Sequence, residues 1–163
     1  MKQNYLFYLA LICMMAACEQ STPPPAKSSK ITEGEKQIAQ DLIQGAFDHL
    51  WGGVDSTKIL DYHTKDFIIL ENGEVWDNDR IKVFMREQLA ESKRPKRINK
   101  MEYISIDKYG ESMQIAYHNF ADFVEADSIV FKGRWLESAL AVETDKGWRL
   151  KMMHSTWVPI KKN

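Results

Sequence analysis

Cysteine is nearly absent from the 163-residue sequence: the two present, Cys13 and Cys18, both stand near its start. What folds beyond them has no thiol, which excludes a disulfide framework, a cysteine nucleophile, a CxxC redox centre and a thiolate metal site. Charge of one sign is missing as well. There are 22 Lys and Arg against 23 Asp and Glu, a formal net charge of −1. So balanced a chain argues against a nucleic-acid partner, which usually needs a basic surface. No apolar run is long enough for a membrane span: the longest, residues 5–17, falls short of the roughly 20 residues a helix needs to cross. Residues 19–32 contain no aromatic side chain, whereas all five tryptophans lie between Trp51 and Trp157. His63, His118 and His154 fall on separate segments without HxH or HExxH spacing, so no metal is indicated, and no other cofactor has a motif.

Lys2 followed by the apolar run has the form of a secretory signal. The run ends in Met15-Ala16-Ala17-Cys18, which resembles the lipobox of bacterial lipoproteins, where small residues precede an invariant cysteine. The resemblance implies removal of residues 1–17, a diacylglyceryl group on the Cys18 sulfur, and an acyl chain such as palmitate on its nitrogen. Several acyl chains anchor stably where a single one is marginal. The expected address is the bacterial cell envelope, on the periplasmic or surface face of the outer membrane, with the lipid bilayer as partner. Residues 18–32 read as a tether: Ser, Thr, Lys and Pro dominate, and Pro23-Pro24-Pro25 favours extended polyproline II. The remaining residues, 33–163, make one domain.

That domain opens on a capping box, Thr32-Glu33-Gly34-Glu35. Ile38, Ala39, Leu42, Ile43, Ala46, Phe47, Leu50 and Trp51 then recur at helical spacing until Gly52-Gly53. Asp55 or Ser56 caps a short second helix to about Tyr62, and residues 66–71 read as a strand. Asn72-Gly73 is a two-residue hairpin signal that folds residues 74–76 back on it. Asp77 or Asn78 caps a third helix with an apolar stripe of Ile81, Phe84, Met85 and Leu89, closed by Pro95. From residue 98 onward the period changes to that of strands, over residues 98–108, 113–125, 128–144 and 148–158, joined by short turns. Gly133 interrupts the third of these, as a bulge or bend would. The expected fold class is α+β, with N-terminal helices packed on one face of a strongly curved antiparallel sheet.

This order resembles the nuclear transport factor 2-like superfamily, and within it the SnoaL-like and ketosteroid-isomerase-like branch. The matching features are the amphipathic first helix, the Asp66-Phe67 strand with its Asn72-Gly73 hairpin, the helix from Arg80, and the closing Gly147-Trp148-Arg149-Leu150 to His154-Ser155. The resemblance implies a cone-shaped, cystatin-like roll enclosing a pocket, often with homodimerisation across the sheet's outer surface. Catalytic members use an inward aspartate with tyrosine and a protonated acid. Asp66, Tyr62 and Tyr117 supply those residue types, but the enzymes' motifs cannot be laid onto this chain, so no catalytic role is carried over.

Strand parity supplies the candidate site. In the last strand Trp148, Leu150, Met152, His154 and Thr156 form the more apolar face, which turns His154 toward the cavity, either as a general acid or base or as a histidine hydrogen-bonded within the sheet. In the second long strand Tyr117 and Asn119 fall on the apolar face with Met113, Ile115 and Ala121. The third strand is ambiguous in phase around Gly133. If Glu137 faces inward it is a second acid or base with a raised pKa; if outward, a solvated or dimer-face carboxylate. His118 falls on a polar phase, and His63 at a helix end suits either the cone mouth or a plain loop. Trp76, Trp135, Trp148 and Trp157 suit a ligand wall or ordinary core. The cationic run Lys93-Arg94-Pro95-Lys96-Arg97 reads as a solvated loop rather than a lipid-headgroup site. The ligand-binding set is therefore Tyr62, Trp76, Tyr117, Asn119, Trp135 and His154, for a small apolar ligand. Three functions follow: a module that binds a small molecule or a protein partner; an isomerase, dehydratase or hydrolase using His154 with an inward carboxylate; and a purely structural partner for another envelope protein.

Overall fold

The computed structural model describes residues 30–160. The apolar run, Cys18 and nearly all of the tether lie outside the described residues. Helix α1 (Glu33–Ala46) starts where the capping box places it: the Glu35 amide donates to the Thr32 hydroxyl at 3.2 Å, and the Thr32 amide donates to Glu35 Oε2 at 2.9 Å. Ile31, counted with the tether in sequence, packs against the core. The helix continues as a π-helical turn, Phe47–Gly52, which buries Phe47 and Leu50. A 3-10 turn (Ser56–Lys58) leads through the single-turn α2 (Ile59–Tyr62) into strand β1 (His63–Glu71). Asn72 and Gly73 both adopt positive φ, 49° and 88°, the backbone a two-residue hairpin requires, and return the chain as β2 (Glu74–Asp77). Asp77 accepts from the Arg80 amide at 2.8 Å and so caps α3 (Asn78–Ala90). Four long strands follow: β3 (Lys96–Tyr109), β4 (Ser112–Glu125), β5 (Ser128–Thr144) and β6 (Gly147–Trp157).

The six strands form one sheet in the order β2-β1-β6-β5-β4-β3. Every pairing is antiparallel except β1 against β6, which is parallel. The sheet is therefore not wholly antiparallel, because β1 is joined to β6 through all the intervening elements and no hairpin constrains its direction. Helix α1 and its π-helical extension lie over the concave face, and α3 flanks β1 and β2. Between them sits one core, in which Ile43, Leu50, Phe67, Ile81, Met113, Ile115, Leu150 and Met153 are fully buried. Ile38 and Leu89, expected on buried helix faces, are exposed.

Gly133, expected as a bulge or bend, carries no bulge. It pairs regularly with Ala121, and in the antiparallel pairings of β3 to β6 the extra residues are Ile104 in β3, Val130 in β5 and Lys151 in β6. Each bulge reverses which residues face the core beyond it. The one at Lys151 decides the site.

Among the described residues no helix is long and apolar enough to cross a membrane. No cluster of three or more His, Cys, Asp or Glu stands close enough there to hold a metal ion.

Candidate functional site

Where the sheet curls away from α1 and α3 it leaves a cavity of about 500 Å³. Its walls are aromatic: Phe47 and Trp51 from the end of the helical layer, Trp76 from β2, Phe84 from α3, Trp135 from β5 and Trp157 from β6. The rings touch one another. Trp51 and Trp76 both pack on Phe84, with centroids at 5.8 and 5.4 Å, and Trp135 meets Trp157 edge-on at 5.0 Å. Trp76 is oriented by its indole N–H, which donates to Glu74 Oε2 at 2.7 Å.

The floor is polar and follows one line of sheet register. Glu71 of β1 is opposite Ser155 of β6, Ser155 is opposite Glu137 of β5, Glu137 is opposite Tyr117 of β4, and Tyr117 is opposite Tyr103 of β3. Glu137 is 5% exposed and accepts two hydrogen bonds, from Ser155 Oγ to Oε1 at 3.0 Å and from Asn119 Nδ2 to Oε2 at 3.3 Å. Asn119 is held in turn by Asn99, whose Nδ2 donates to its Oδ1 at 2.6 Å. The buried Tyr117 hydroxyl lies beside the same carboxyl without forming a hydrogen bond of normal geometry.

Burial sets the protonation of this row. It pushes Glu137 up to about 7, against the opposing pull of Ser155, Arg97, Tyr117 and Asn119. Glu71, nearer the mouth, is also raised by burial, with Ser155, Arg97 and His154 opposing. Arg97 of β3 enters the cavity from the far edge of the sheet. Its guanidinium carbon lies 4.7 Å from the Trp135 ring centroid and 5.6 Å from that of Phe47, the geometry of a cation–π contact. Burial lowers Arg97 to about 10, opposed by the charges of Glu137 and Glu71.

The residues singled out in sequence divide. Trp76, Trp135 and Glu137 line the cavity, and Tyr117 and Asn119 are buried next to Glu137. Trp157 forms part of the rim at 36% exposure. His154 does not belong to the site. The bulge at Lys151 puts Leu150, Met153 and Ser155 on the inner face and leaves His154 exposed on the outer one. Tyr62 is also elsewhere: its ring stacks on His49 at 5.5 Å and its hydroxyl pairs with His49 Nδ1 at 2.7 Å. Trp148 stands at the opposite end of β6, under Lys108. His63 is a core residue at 1% exposure, stacked on Phe67 at 3.6 Å and paired with Asn78 Oδ1 at 3.0 Å, and burial lowers it to about 4. His118 is half-buried, with its Nδ1 3.5 Å from Arg134. Asp66 is exposed and ion-paired with Lys151.

Arg97 is the other correction. Read as the end of a solvated cationic loop, it is the second residue of β3, and its side chain points inward with Asn99 and Tyr103. The alternation Arg97, Asn99, Met101, Tyr103 carried that signal. Simple alternation with His154 inward turns Ser155 outward, and the bulge at Lys151 that reverses this has no marker residue in the sequence. Trp51 and Phe84 were read as helix core, and nothing in their spacing distinguishes a core position from a cavity wall.

No family model matches the chain, and no curated protein matches it in sequence. Solved structures do match in shape. A protein of unknown function with a cystatin-like fold from Nostoc punctiforme superposes with a TM-score of 0.64 at 10% identity, covering 80% of this chain and 96% of that one. A nuclear transport factor 2-like superfamily protein from Salmonella enterica serovar Typhimurium superposes at 0.60 with 15% identity, over 78% and 92% of the two chains. The chain has the nuclear transport factor 2-like, cystatin-like fold. The CaMKII hub of S. rosetta is similar in the same sense, with a TM-score of 0.61 at 12% identity over 84% of this chain and 98% of that one. In this cystatin-like roll the cavity lies between the concave sheet and the helical layer, with Glu137 and Ser155 on its floor.

Proposed function

We propose that this chain is an envelope lipoprotein, anchored in a bacterial membrane through acylated Cys18, whose nuclear transport factor 2-like domain binds a small, largely apolar molecule. The cavity carries this reading. Six aromatic side chains around about 500 Å³ suit the concave, mostly apolar site with a few placed polar groups that small ligands use. A homodimer across the outer face of the sheet fits the exposed Ile98, Ile104 and Leu136 on its strands. The likeness to kinase association and hub domains supports a domain that assembles. The test is a thermal-shift screen of the full-length chain with apolar and amphipathic compounds. Hits whose stabilisation falls in Trp135→Ala and persists in His154→Ala support the reading, and an absence of hits contradicts it. For the anchor, wild type is expected in the detergent phase of a phase-separation extraction and Cys18→Ala in the aqueous phase.

A second reading is acid–base catalysis, favoured by one observation: Glu137 titrates near neutrality while facing an apolar cavity. With His154 on the outer face, this reading rests on Glu137. Turnover of a bound compound that disappears in Glu137→Gln would establish it.

A further inference from the structure

The hydrogen-bonding capacity of the cavity is unevenly met. Glu137 accepts from Ser155 and Asn119, Glu71 accepts from the Asn72 side chain at 2.8 Å, and Glu74 accepts from the Trp76 indole. Each carboxyl around the cavity thus has at least one donor of its own. Arg97 is in the opposite position. Its Nε is shut off from solvent without a partner, and neither Glu71 nor Glu137 reaches it as an ion pair among the described residues. What surrounds the guanidinium is aromatic: Trp135, Phe47 and Phe123, the last at 5.7 Å. A guanidinium carries donors only, in a planar fork; Glu137 and Glu71 act on its charge from a distance, and a buried donor left without an acceptor is costly. The unmet demand inside the cavity is for an anionic acceptor.

We propose that the cavity takes an organic carboxylate, its oxyanion forked on Arg97 and its apolar, preferably aromatic, body between the tryptophans. This rests on reading the cavity as a binding site and adds the class of its ligand. The fork of Arg97 matches a carboxylate in two parallel hydrogen bonds, whereas an amine would meet the guanidinium charge directly. Among the described residues, the other charged or titratable groups facing this position are Glu71 from β1, Glu74 from β2, Tyr117 from β4 and Glu137 from β5, and the helical layer contributes only Phe47, Trp51 and Phe84. An arriving anion is repelled by an ionised Glu137 and welcomed by a protonated one. The near-neutral titration of Glu137 therefore couples binding to uptake of one proton, and affinity falls as pH rises.

The test uses intrinsic tryptophan quenching on the full-length chain with three probes of one shape: 2-naphthoate, 2-naphthamide and 2-naphthylmethylamine. The expected order is naphthoate tighter than the amide by at least about tenfold, with the amine weakest. Naphthoate should weaken several-fold from about pH 6 to about pH 8, a range in which the probe itself stays ionised. Arg97→Met should bind naphthoate no better than the amide. If that variant does not fold, the wild-type ranking decides alone. Naphthamide binding as tightly as naphthoate, or a carboxylate preference that survives Arg97→Met, overturns the proposal and leaves the cavity reading standing. Saturable binding by none of the three overturns both. Affinity for naphthoate that is flat or rising with pH overturns the proton coupling.

Discussion

A Cβ placed on Gly133 would stand 2.4 Å from the Trp135 ring, closer than any real Cβ contact, and 3.2 Å from Trp157. The glycine therefore makes room for a ring that folds back along its own strand to wall the cavity, with Arg97 over it at 4.7 Å. Gly133→Ala should displace that ring, costing about 1–3 kcal/mol in a urea melt and weakening any cavity ligand. Gly34, in the first turn of α1, has nothing within 4 Å of such a Cβ. There the same substitution should raise stability by about 0.5 kcal/mol through helix propensity and chain entropy.

Two buried groups make opposing contributions to pH dependence. For Glu137 the folded value is about 7 against an ordinary 4.5. Across that window the folded chain holds a proton that the unfolded chain has released, so stability falls as pH rises. For His63 the folded value is about 4 against 6.5. There the unfolded chain binds the extra proton, so stability rises with pH. Each effect is of order 3 kcal/mol, and across the shared range they largely cancel. Glu137→Gln should unmask loss of stability on acidification below neutrality, and His63→Leu loss on going from acid to neutral pH. Chemical melts at several pH values measure both slopes. Parallel slopes in wild type and both variants would contradict the assignment.

His154→Ala should change stability by less than about 0.5 kcal/mol, as exposed substitutions usually do, and leave ligand affinity unaltered. Ser155→Ala, one residue along, removes the donor to Glu137 Oε1. It should cost about 1 kcal/mol and move the Glu137 titration further up, because a hydrogen bond to the carboxylate favours its charged form. Carboxyl carbon chemical shifts followed against pH give that value directly.

The β4–β5 turn places Ala126 and Asp127 at φ 47° and 61°, a backbone that costs a residue with a Cβ about 1 kcal/mol. Ala126→Gly should recover about 0.5–1 kcal/mol in a urea melt without touching the cavity.

Legibility in sequence followed physical locality. The capping box at Thr32, the Asn72-Gly73 turn and the Asp77 cap are interactions between residues two or three apart, and each predicted its element. The alternation Met113, Ile115, Tyr117, Asn119 was readable because β4 carries no extra residue of its own. His154 was misplaced by one register because the bulge at Lys151 is set by pairing with β5, through Leu140 and Ala141. No composition rule exposes that. Arg97 was misread because its neighbours Lys93, Arg94 and Lys96 are solvated while its own side chain is turned inward by β3 pairing with Phe123. A cavity is a property of how far a sheet curls from its helices, and Trp51 and Phe84 read as core in any one-dimensional pattern. The parallel pairing of β1 with β6 had no local signal either.

The most direct test is a methyl NMR titration of the full-length chain, isotopically labelled at isoleucine, with 2-naphthoate. Ile69 lines the cavity, whereas Ile98 and Ile104 of β3 are exposed and do not line it. Saturable shifts at Ile69 with Ile98 and Ile104 unmoved are predicted. Shifts confined to Ile98 and Ile104 would place binding outside the cavity and contradict the account.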